Sequence, residues 1–477
     1  MGQKIDDSHF SDHDFRVFSQ RLHQETELLV RWVKDGRFPE LPLMGGLELE
    51  CWLVDRNGDP APVNRPFLEL ADDPLIVPEL ARFNIELNSK PQVLAGKALS
   101  RMAGDLDARW RHCRWAAAQL DADVVMTGIL PTAREDQFTV DNMSDQARYR
   151  ALNEQVFRSR RGEPLRLRIQ GRDRLDTVHH DVMLEAATTS FQAHLRVPPD
   201  RAAAFYNAAL LMSPLMVAAC ANSPYLFGRD LWMETRVPVF EQAVASPPRD
   251  GCRKLGGRVT FGDRFARGDL TECFRQNDQC FVPLLPMEVD KYPASLSHLR
   301  LHNGTIWRWN RPLIGFEEDG HPHFRIEHRT VSAGPTVEDC IANATLFFGL
   351  SLALVDECAD LADRLDFGVL REDFYSAARI GLASAMTWLD GRRHGLTALL
   401  SDVLLPRCDT ALKRSGLDPE DVAHYLGVIG RRVTSGNTGA QWQRVQCERF
   451  QGDMRSLLMA YMAHQESGRP VHEWGVE

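Results

Sequence analysis

Glutamate, glutamine, histidine and arginine occur at alternate positions in four short segments of this 477-residue sequence. Alternate side chains of a β-strand point to opposite faces, so each segment would present one apolar face and one face of charged or amide groups. The polar members are Glu48 and Glu50; Asn84, Glu86 and Asn88; Ser190, Gln192, His194 and Arg196; and Arg325, Glu327 and Arg329. We therefore expect four strands, each with one polar face.

The residue types on these faces predict a site for metal ions and phosphate. Each strand alone is also compatible with a solvated outer face. Solvated faces favour lysine and threonine, however, whereas these four polar faces contain no lysine. Two carboxylates held about 7 Å apart on one strand are costly unless a cation lies between them. Carboxylates suit Mg²⁺ or Mn²⁺ and guanidinium groups suit phosphate oxygens, so the set predicts ATP binding and phosphoryl transfer.

Motifs of several other enzyme classes are absent. The sequence contains no GxxxxGK[ST], no strand-borne GxGxxG that opens a helix, and no GxSxG. The pair His179–His180, followed by Asp181, suggests a metal site, but adjacent strand residues face opposite sides, so we interpret the pair as structural. A two-metal hydrolase remains an alternative, because the same acidic sheet would serve it.

Composition indicates an ordinary globular enzyme. Charged residues make up 26% and the net charge is −10, which predicts neither a nucleic-acid nor a membrane partner. The N-terminus lacks the apolar core of a signal peptide. The apolar stretch 202–221 contains Asn207, Ser213 and Pro214, which favours a buried helix over a membrane span. The ten cysteines form no CxxC pair, which predicts free thiols and a cytoplasmic location.

Hydrophobic periodicity predicts the elements that must position the polar faces. Strands are expected over 46–55, 83–88, 124–130, 165–170, 190–197, 305–311 and 324–329. Helices are expected over 11–34, 98–120, 145–157, 201–220, 231–245, 337–364, 372–389, 395–415, 419–433 and 440–465. Ser11 and Asp14 resemble a capping pair, and residues 247–300 form a long connection. This irregular interleaving predicts an α+β fold with a mainly antiparallel sheet.

At these residues the sequence resembles the glutamate–cysteine ligase family, type 2, which comprises carboxylate–amine ligases that share the glutamine synthetase fold. The matching segments are GGLELE (45–50), PELARFNIEL (78–87), TTSFQAHLRV (188–197), ANSPYLFGRDLWMETR (221–236), TIWRWNRP (305–312) and FRIEHRT (324–330). The resemblance implies a curved antiparallel sheet with flanking helices. We expect a catalytic domain over 1–365, with the 11–34 helix packed on it, and a helical C-terminal region over 366–477.

The same resemblance implies a role for each matching residue. The implied metal ligands are Glu48, Glu50, Glu79, Glu86 and Glu327. The implied catalytic groups, which bind phosphate or the substrate carboxylate, are Arg236, Arg311 and Arg329. The residues implied to contact nucleotide or metal are Arg325, Gln192 and His194. Glu79 could instead cap a helix, and Trp307, Trp309 and Asn222 are expected to be structural.

The activity implied by the resemblance is ATP-dependent formation of a γ-glutamyl amide through an acyl phosphate, as in glutathione biosynthesis. Its cofactors would be ATP and Mg²⁺ or Mn²⁺, its partners small molecules, and the helical tail is compatible with a homo-oligomer. Asn310 and the lengthened hairpin 315–323 depart from the family pattern, and the region around Cys252 and Cys280 matches nothing in it. A different carboxylate or amine, or a non-catalytic relative that binds ATP or an amino acid, remains open.

Overall fold

The structure, a computed structural model, describes residues 10–287 and 292–475. The strands within these residues, β1 to β14 in chain order, are Met44–Asp55, Ile76–Pro78, Asn84–Asn88, Gln92–Val93, Ala122–Val125, Leu165–Gln170, Arg174–His179, Ser190–Val197, Tyr225–Leu226, Arg229–Asp230, Asn310–Phe316, Pro322–Ser332, Ala385–Thr387 and Arg393–Gly395. The α-helices, α1 to α16, are Asp12–Lys34, Asn64–Ala71, Ala98–Ala118, Ala147–Ser159, Ala202–Ala219, Arg236–Ala243, Thr271–Cys280, Ser297–Asn303, Val337–Leu354, Leu361–Arg364, Phe367–Ile380, Leu396–Ala398, Leu405–Arg414, Pro419–Ser435, Gly439–Arg449 and Met454–Glu466.

A single curled sheet contains all four of the predicted polar strands. Its strand order is β11-β12-β8-β1-β3-β2, and β4 and β5 pair with β1 as well. All of these pairings are antiparallel. The predicted α+β class with a mainly antiparallel sheet and flanking helices is therefore confirmed.

Two buried helices, α5 and α9, cover the apolar face of the sheet. Helix α5 lies against β12 and α9, and α9 also contacts β8. Gly45 on β1 permits this close packing, since a Cβ atom there would lie 2.8 Å from the Phe348 ring of α9. Both helices are long and apolar enough to cross a membrane, but 89% and 78% of their apolar stretches are buried inside the protein. The stretch 202–221 is thus a core helix, as predicted.

Helix α1 is capped as predicted and fastens a distant segment. Ser11 Oγ accepts a hydrogen bond from Asp14 N, and the Asp14 carboxylate accepts one from Ser11 N. Further along the helix, Glu25 accepts hydrogen bonds from His298 Nδ1 (2.7 Å) and Leu299 N (2.9 Å). The first helix of the described chain therefore holds α8 in place.

The C-terminal helices pack on the same core as the sheet. Helices α13 and α14 contact α9, and Arg432 on α14 pairs with buried Asp339 at 2.7 Å. Tyr461 on α16 donates a hydrogen bond to the carbonyl oxygen of Met126 at 3.0 Å. The division of the chain at residue 365 stays a prediction, and these contacts show how closely the two parts are joined.

Several predicted elements differ in extent from those observed. The 305–311 strand begins only at Asn310, because Trp309 N bonds the carbonyl oxygen of Thr260 instead of a sheet strand. The helix over 440–465 is interrupted at Gly452 (φ +87°), after which Asp453 caps α16. Four elements are shorter than predicted. Strand β5 ends at Val125, helix α6 begins only at Arg236, and helices α9 and α11 end at Leu354 and Ile380.

The prediction that all cysteines are free thiols was wrong for two of them. Cys252 and Cys280 form a disulfide. The segment after 247 folds back on the end of α7, where Arg249 N bonds the carbonyl oxygen of Cys280 at 2.8 Å. The other eight cysteines are free and buried. The 247–300 connection therefore contains two helices, α7 and α8, and a covalent link.

Candidate active site

Three carboxylates meet on the β1–β3 side of the polar face. Glu50 lies directly opposite Glu86 in the antiparallel register, and Glu79 reaches them from the turn between β2 and β3 rather than from a helix end. One carboxylate oxygen from each lies within 4.8 Å of the other two. In the described part of the chain this is the one group of three potential metal ligands that lie so close.

Burial and mutual repulsion disfavour ionisation of these carboxylates. Burial, together with the charges of Glu48 and Glu50, raises the pKa of Glu86 to about 8. Burial and the charges of Glu86 and Glu50 raise the pKa of Glu79 well above its usual value. Burial also raises the pKa of Glu50, although the Arg329 guanidinium opposes this. Hard oxygen donors with excess negative charge fit a divalent cation, which would relieve the repulsion.

Strand β8 orients Glu50 through hydrogen bonds. Ser190 N donates to Glu50 Oε2 at 2.6 Å, and Gln192 Nε2 donates to Glu50 Oε1 at 2.9 Å. The amide oxygen of Gln192 is buried and has no hydrogen-bond partner among the described residues. Gln192 thus lies next to the carboxylate group with one acceptor free for a ligand.

A second group of potential ligands lies one strand further along, around Glu48, His194 and Glu327. His194 Nε2 lies 3.1 Å from Glu48 Oε1, and Glu327 is the partner of His194 across the β12–β8 pair. Burial opposes ionisation of Glu48, but the neighbouring His194 outweighs it and lowers the pKa of Glu48 to about 2. Two carboxylates and an imidazole suit a second divalent cation.

Arginines hold Glu327 from both sides. Arg311 Nη2 donates to Glu327 Oε2 and Arg329 Nη1 donates to Glu327 Oε1, both at 2.8 Å. Burial opposes ionisation, yet the two guanidinium groups keep the pKa of Glu327 well below its usual range. The predicted metal ligand and two of the predicted catalytic arginines are therefore brought together.

Arg236 lies behind Arg329 rather than in the open part of the face. Its Nε donates to Glu234 at 3.2 Å and its Nη2 to the carbonyl oxygen of Arg329 at 3.0 Å. The guanidinium also lies over the Trp309 ring, 5.2 Å from its centre, and Trp309 is fully buried, as its expected structural role requires. Arg236 is near enough for its charge to act on Glu50, so it adds positive charge beneath the site.

Arg325 lies at the β12 end of the polar face. It is half-buried and stands opposite Arg196, which pairs with Glu317 of the lengthened hairpin at 2.8 Å. The Nε atom of Arg325 is buried and has no hydrogen-bond partner among residues 10–287 and 292–475. This guanidinium is suited to an anionic ligand such as phosphate.

Asn310 and the pair His179–His180, which the sequence analysis singled out, lie away from the site. Asn310 faces α5, donating to Ser213 Oγ at 2.8 Å, with its amide oxygen 2.7 Å from His328 Nδ1. This departure from the family pattern is therefore on the apolar side of the sheet. His179 is buried, with its Nε2 2.9 Å from Thr177 Oγ1, whereas His180 is exposed, so the two side chains face opposite sides, as expected.

The sequence interpretation missed Glu185, in a 3₁₀ turn over Met183–Ala187 just before β8. Burial and the charge of Glu50 raise the pKa of Glu185 to about 8. Arg148 on α4 partly opposes the rise in pKa of both Glu185 and Glu79. The only sequence feature that could have identified Glu185 is its position as the one acidic residue in the apolar run MLEAA (183–187). This run has neither the period of a strand nor that of a helix.

A family model described as glutamate–cysteine ligase family 2 matches residues 44–460. No curated protein matches the sequence. The fold is similar to that of a glutamate–cysteine ligase from Francisella tularensis in complex with AMP, at 12% identity and a TM-score of 0.55, covering 92% of this chain and 91% of that one.

Two further solved structures are similar over most of this chain, each at 12% identity. A bifunctional glutathione synthetase from Pasteurella multocida has a TM-score of 0.48 and covers 93% of this chain and 55% of that one. The structure of the ligase PafA in complex with the ubiquitin-like protein Pup has a TM-score of 0.36, and the match covers 89% of this chain and 72% of that one. The family model, which spans most of the sequence and includes every strand of the polar face, shows that this chain belongs to glutamate–cysteine ligase family 2.

Proposed function

We propose that the protein is an ATP-dependent carboxylate–amine ligase that joins the γ-carboxylate of glutamate to an amine, with cysteine the first acceptor to test. One observation carries the proposal: the Glu50, Glu79 and Glu86 carboxylates converge within 4.8 Å on a face that also carries fixed guanidinium groups. Membership of the family supports it.

Two sets of side chains would hold divalent cations. Glu50, Glu79 and Glu86 form one set, and Glu48, His194 and Glu327 form the other. Mg²⁺ bound there would neutralise negative charge on phosphate oxygens.

The arginines are fixed before any substrate arrives. Glu327 orients Arg311 and Arg329, and Glu234 with Trp309 orients Arg236. Donors that are already positioned stabilise charge as it builds on a transferring phosphoryl group without reorganisation. Arg325, with its free Nε, would bind the phosphate chain from the β12 end.

The reaction proceeds in two balanced steps. An oxygen of the γ-carboxylate attacks the terminal phosphorus of ATP, the bond to ADP breaks, and an acyl phosphate forms. The amine nitrogen then attacks the acyl carbon, inorganic phosphate leaves with the bonding electron pair, and the nitrogen loses a proton. No covalent enzyme intermediate is needed, consistent with eight free cysteines that are all buried. We also propose small-molecule substrates and a cytoplasmic location.

Release of ADP and inorganic phosphate tests the proposal directly. The protein is incubated with ATP, Mg²⁺ and glutamate across a panel of amino acids and amines, and products are identified by mass spectrometry. Amine-dependent ADP release with a matching γ-glutamyl amide is expected. Formation of AMP and pyrophosphate would contradict the proposed acyl-phosphate intermediate. Hydrolysis of a substrate in the absence of ATP would favour a two-metal hydrolase instead.

A further inference from the structure

Strand β12 leaves the regular sheet pairing at Arg329. Its register with β8 holds from Phe324 to His328 and resumes only at Val331, and its pairing with β11 ends at His328. A bulge of this kind re-aims a side chain, but it also removes the ladder of hydrogen bonds that would fix the backbone there. The position of Arg329 beside Glu327 therefore depends on contacts from outside the sheet ladder.

Trp309 and Arg236 hold the backbone of Arg329. Arg329 N donates to the carbonyl oxygen of Trp309 at 3.0 Å, and the carbonyl oxygen of Arg329 accepts from Arg236 Nη2 at 3.0 Å. The Arg329 guanidinium lies over the ring of Phe240, 5.7 Å from its centre. Because the Arg236 guanidinium lies over the Trp309 ring at 5.2 Å, both arginines depend on the placement of one buried indole.

Glu241 on α6 fixes that indole. Glu241 Oε1 accepts hydrogen bonds from Trp309 Nε1 and from Tyr375 Oη on α11, both at 2.8 Å. The indole N–H is the one polar group of the ring, so this bond sets the orientation of the ring in its plane. Attraction between a cation and an aromatic ring depends on the negative face of the ring, and a carboxylate bonded to the indole N–H enriches that face.

Glu241 reaches the arginines only through the indole. Within residues 10–287 and 292–475, no hydrogen bond or ion pair joins Glu241 to Arg236 or to Arg329. Burial raises the pKa of Glu241 to about 7, although the bonds from Trp309 and Tyr375 oppose this. Measurements at pH 8.5 therefore keep the carboxylate ionised.

We infer that Glu241 is a positioning residue: it fixes Trp309, and Trp309 in turn sets Arg236 and the bulged Arg329 against the transferring phosphoryl group. The inference rests on the proposed ligase function, in which these arginines stabilise charge during phosphoryl transfer. Tyr375, which bonds Glu241 from α11, links the C-terminal part of the chain to the same arrangement.

Two substitutions of Glu241 test this role. Glu241→Ala removes the acceptor, and we expect it to lower kcat roughly 10- to 100-fold, because small displacements of positioned groups have effects of that size. KM for ATP should stay nearly unchanged, since the charge of the arginines remains and only its alignment with the transition state is lost. Glu241→Gln keeps an acceptor oxygen and should retain most of the turnover.

A double variant shows whether the effect passes through the indole. Trp309→Phe keeps an aromatic ring and removes the N–H group that bonds Glu241. Adding Glu241→Ala to Trp309→Phe should then lower kcat no further, because the two residues act as one unit. Independent losses that multiply in the double variant would overturn the inference.

Two neighbouring positions provide matched controls. Gln242→Ala removes hydrogen bonds between α6 and the backbone of Arg168 on β6, and it should lower the melting temperature without changing kcat. Glu372→Ala, on the exposed face of α11, should change neither. A loss of kcat in Glu241→Ala no larger than in Gln242→Ala would contradict the inference, because only the stability of the fold would then be affected.

A parent protein without amine-dependent turnover would refute the proposed function instead. The positioning is then measured without turnover, from the NMR signal of the Arg236 Nε–H group, which donates to buried Glu234 at 3.2 Å. This signal, assigned by its loss in Arg236→Lys, should move in Glu241→Ala and stay in place in Glu372→Ala. A signal that Glu241→Ala leaves unmoved would contradict the role of Glu241.

Discussion

Glu327 accepts hydrogen bonds on both carboxylate oxygens, from Arg311 and from Arg329. Each carboxylate oxygen has two lone-pair directions, so these bonds leave room for a cation on the same group. Glu50 differs, because its neighbours on the sheet include Glu86 and its pKa is raised rather than lowered. In the folded protein the ionised form of Glu327 is therefore favoured, whereas the ionised form of Glu50 is disfavoured.

Replacing either glutamate by glutamine separates its contribution to turnover from its contribution to stability. We expect Glu50→Gln and Glu327→Gln each to lower turnover at least about 100-fold, since each removes a carboxylate that would hold a divalent cation against the transferring phosphoryl group. Glu50→Gln should leave the melting temperature unchanged or higher, because it removes like-charge repulsion. Glu327→Gln should lower it, because Arg311 and Arg329 lose their buried partner.

Glu69→Gln, on the exposed face of α2, is the control for both variants. Turnover and thermal unfolding are measured in parallel. Near-normal activity in both variants would contradict the assignment of metal ligands.

The carboxylates also predict a pH dependence of Mg²⁺ binding. Burial and neighbouring carboxylates raise the pKa of Glu86 and of Glu185 from 4.5 to about 8. The folded state therefore binds more protons than the unfolded state between about pH 4.5 and 8, so stability without metal falls as pH rises through this window. Mg²⁺ favours the ionised form and should restore the loss.

Thermal shift measurements at pH 6 and at pH 8.5, with Mg²⁺ or EDTA, check this expectation. The rise in melting temperature caused by Mg²⁺ should be larger at pH 8.5, and Glu50→Gln should abolish most of it. A rise that is the same at both pH values would contradict the assignment.

Among the elements, α1 and α8 are joined by a buried hydrogen-bonded pair. Glu25 and His298 are each 1% exposed, and Glu25 also accepts from Leu299 N. Glu25→Ala would leave two buried donors without an acceptor, which we expect to cost about 3 kcal/mol in the free energy of unfolding.

Urea unfolding followed by tryptophan fluorescence measures that cost. Glu27→Ala on the same helix, whose side chain is 43% exposed, should change the unfolding free energy little. Equal effects of the two substitutions would show that the pair does not fasten α8.

For the molecule as a whole, the C-terminal helices complete the core. Asp339 and Arg432 are 0% and 1% exposed, and Tyr461 reaches Met126 beside the sheet. A chain that ends at residue 365 would remove the cation that pairs with Asp339 and expose the side of α9 that α13 and α14 cover. We expect this truncated chain to be insoluble or unfolded by circular dichroism.

A chain that ends at residue 475 is the control, and it should unfold like the full protein. A soluble 1–365 fragment with a cooperative thermal transition would instead support an independent catalytic domain, as the division at 365 predicts.

The sequence by itself determined which faces of the strands are polar and which are apolar. Alternation is a local property of an extended backbone, so Glu48, Glu50 and Glu86 could be assigned to polar faces without knowledge of their partners. Local hydrogen bonding likewise explains why the Ser11 cap of α1 was predictable. The α+β class follows from the same local patterns.

Only the tertiary structure decided which of these faces meet and which outside residues join them. Glu185 and Glu241 come from a 3₁₀ turn and a helix, where no period marks a polar position as functional. Cys252 and Cys280 are 28 residues apart, so their pairing depends on how the chain between them folds. Distances between such separated segments are set by how α5, α9 and the sheet pack together, and packing is a property of the whole chain rather than of any one segment.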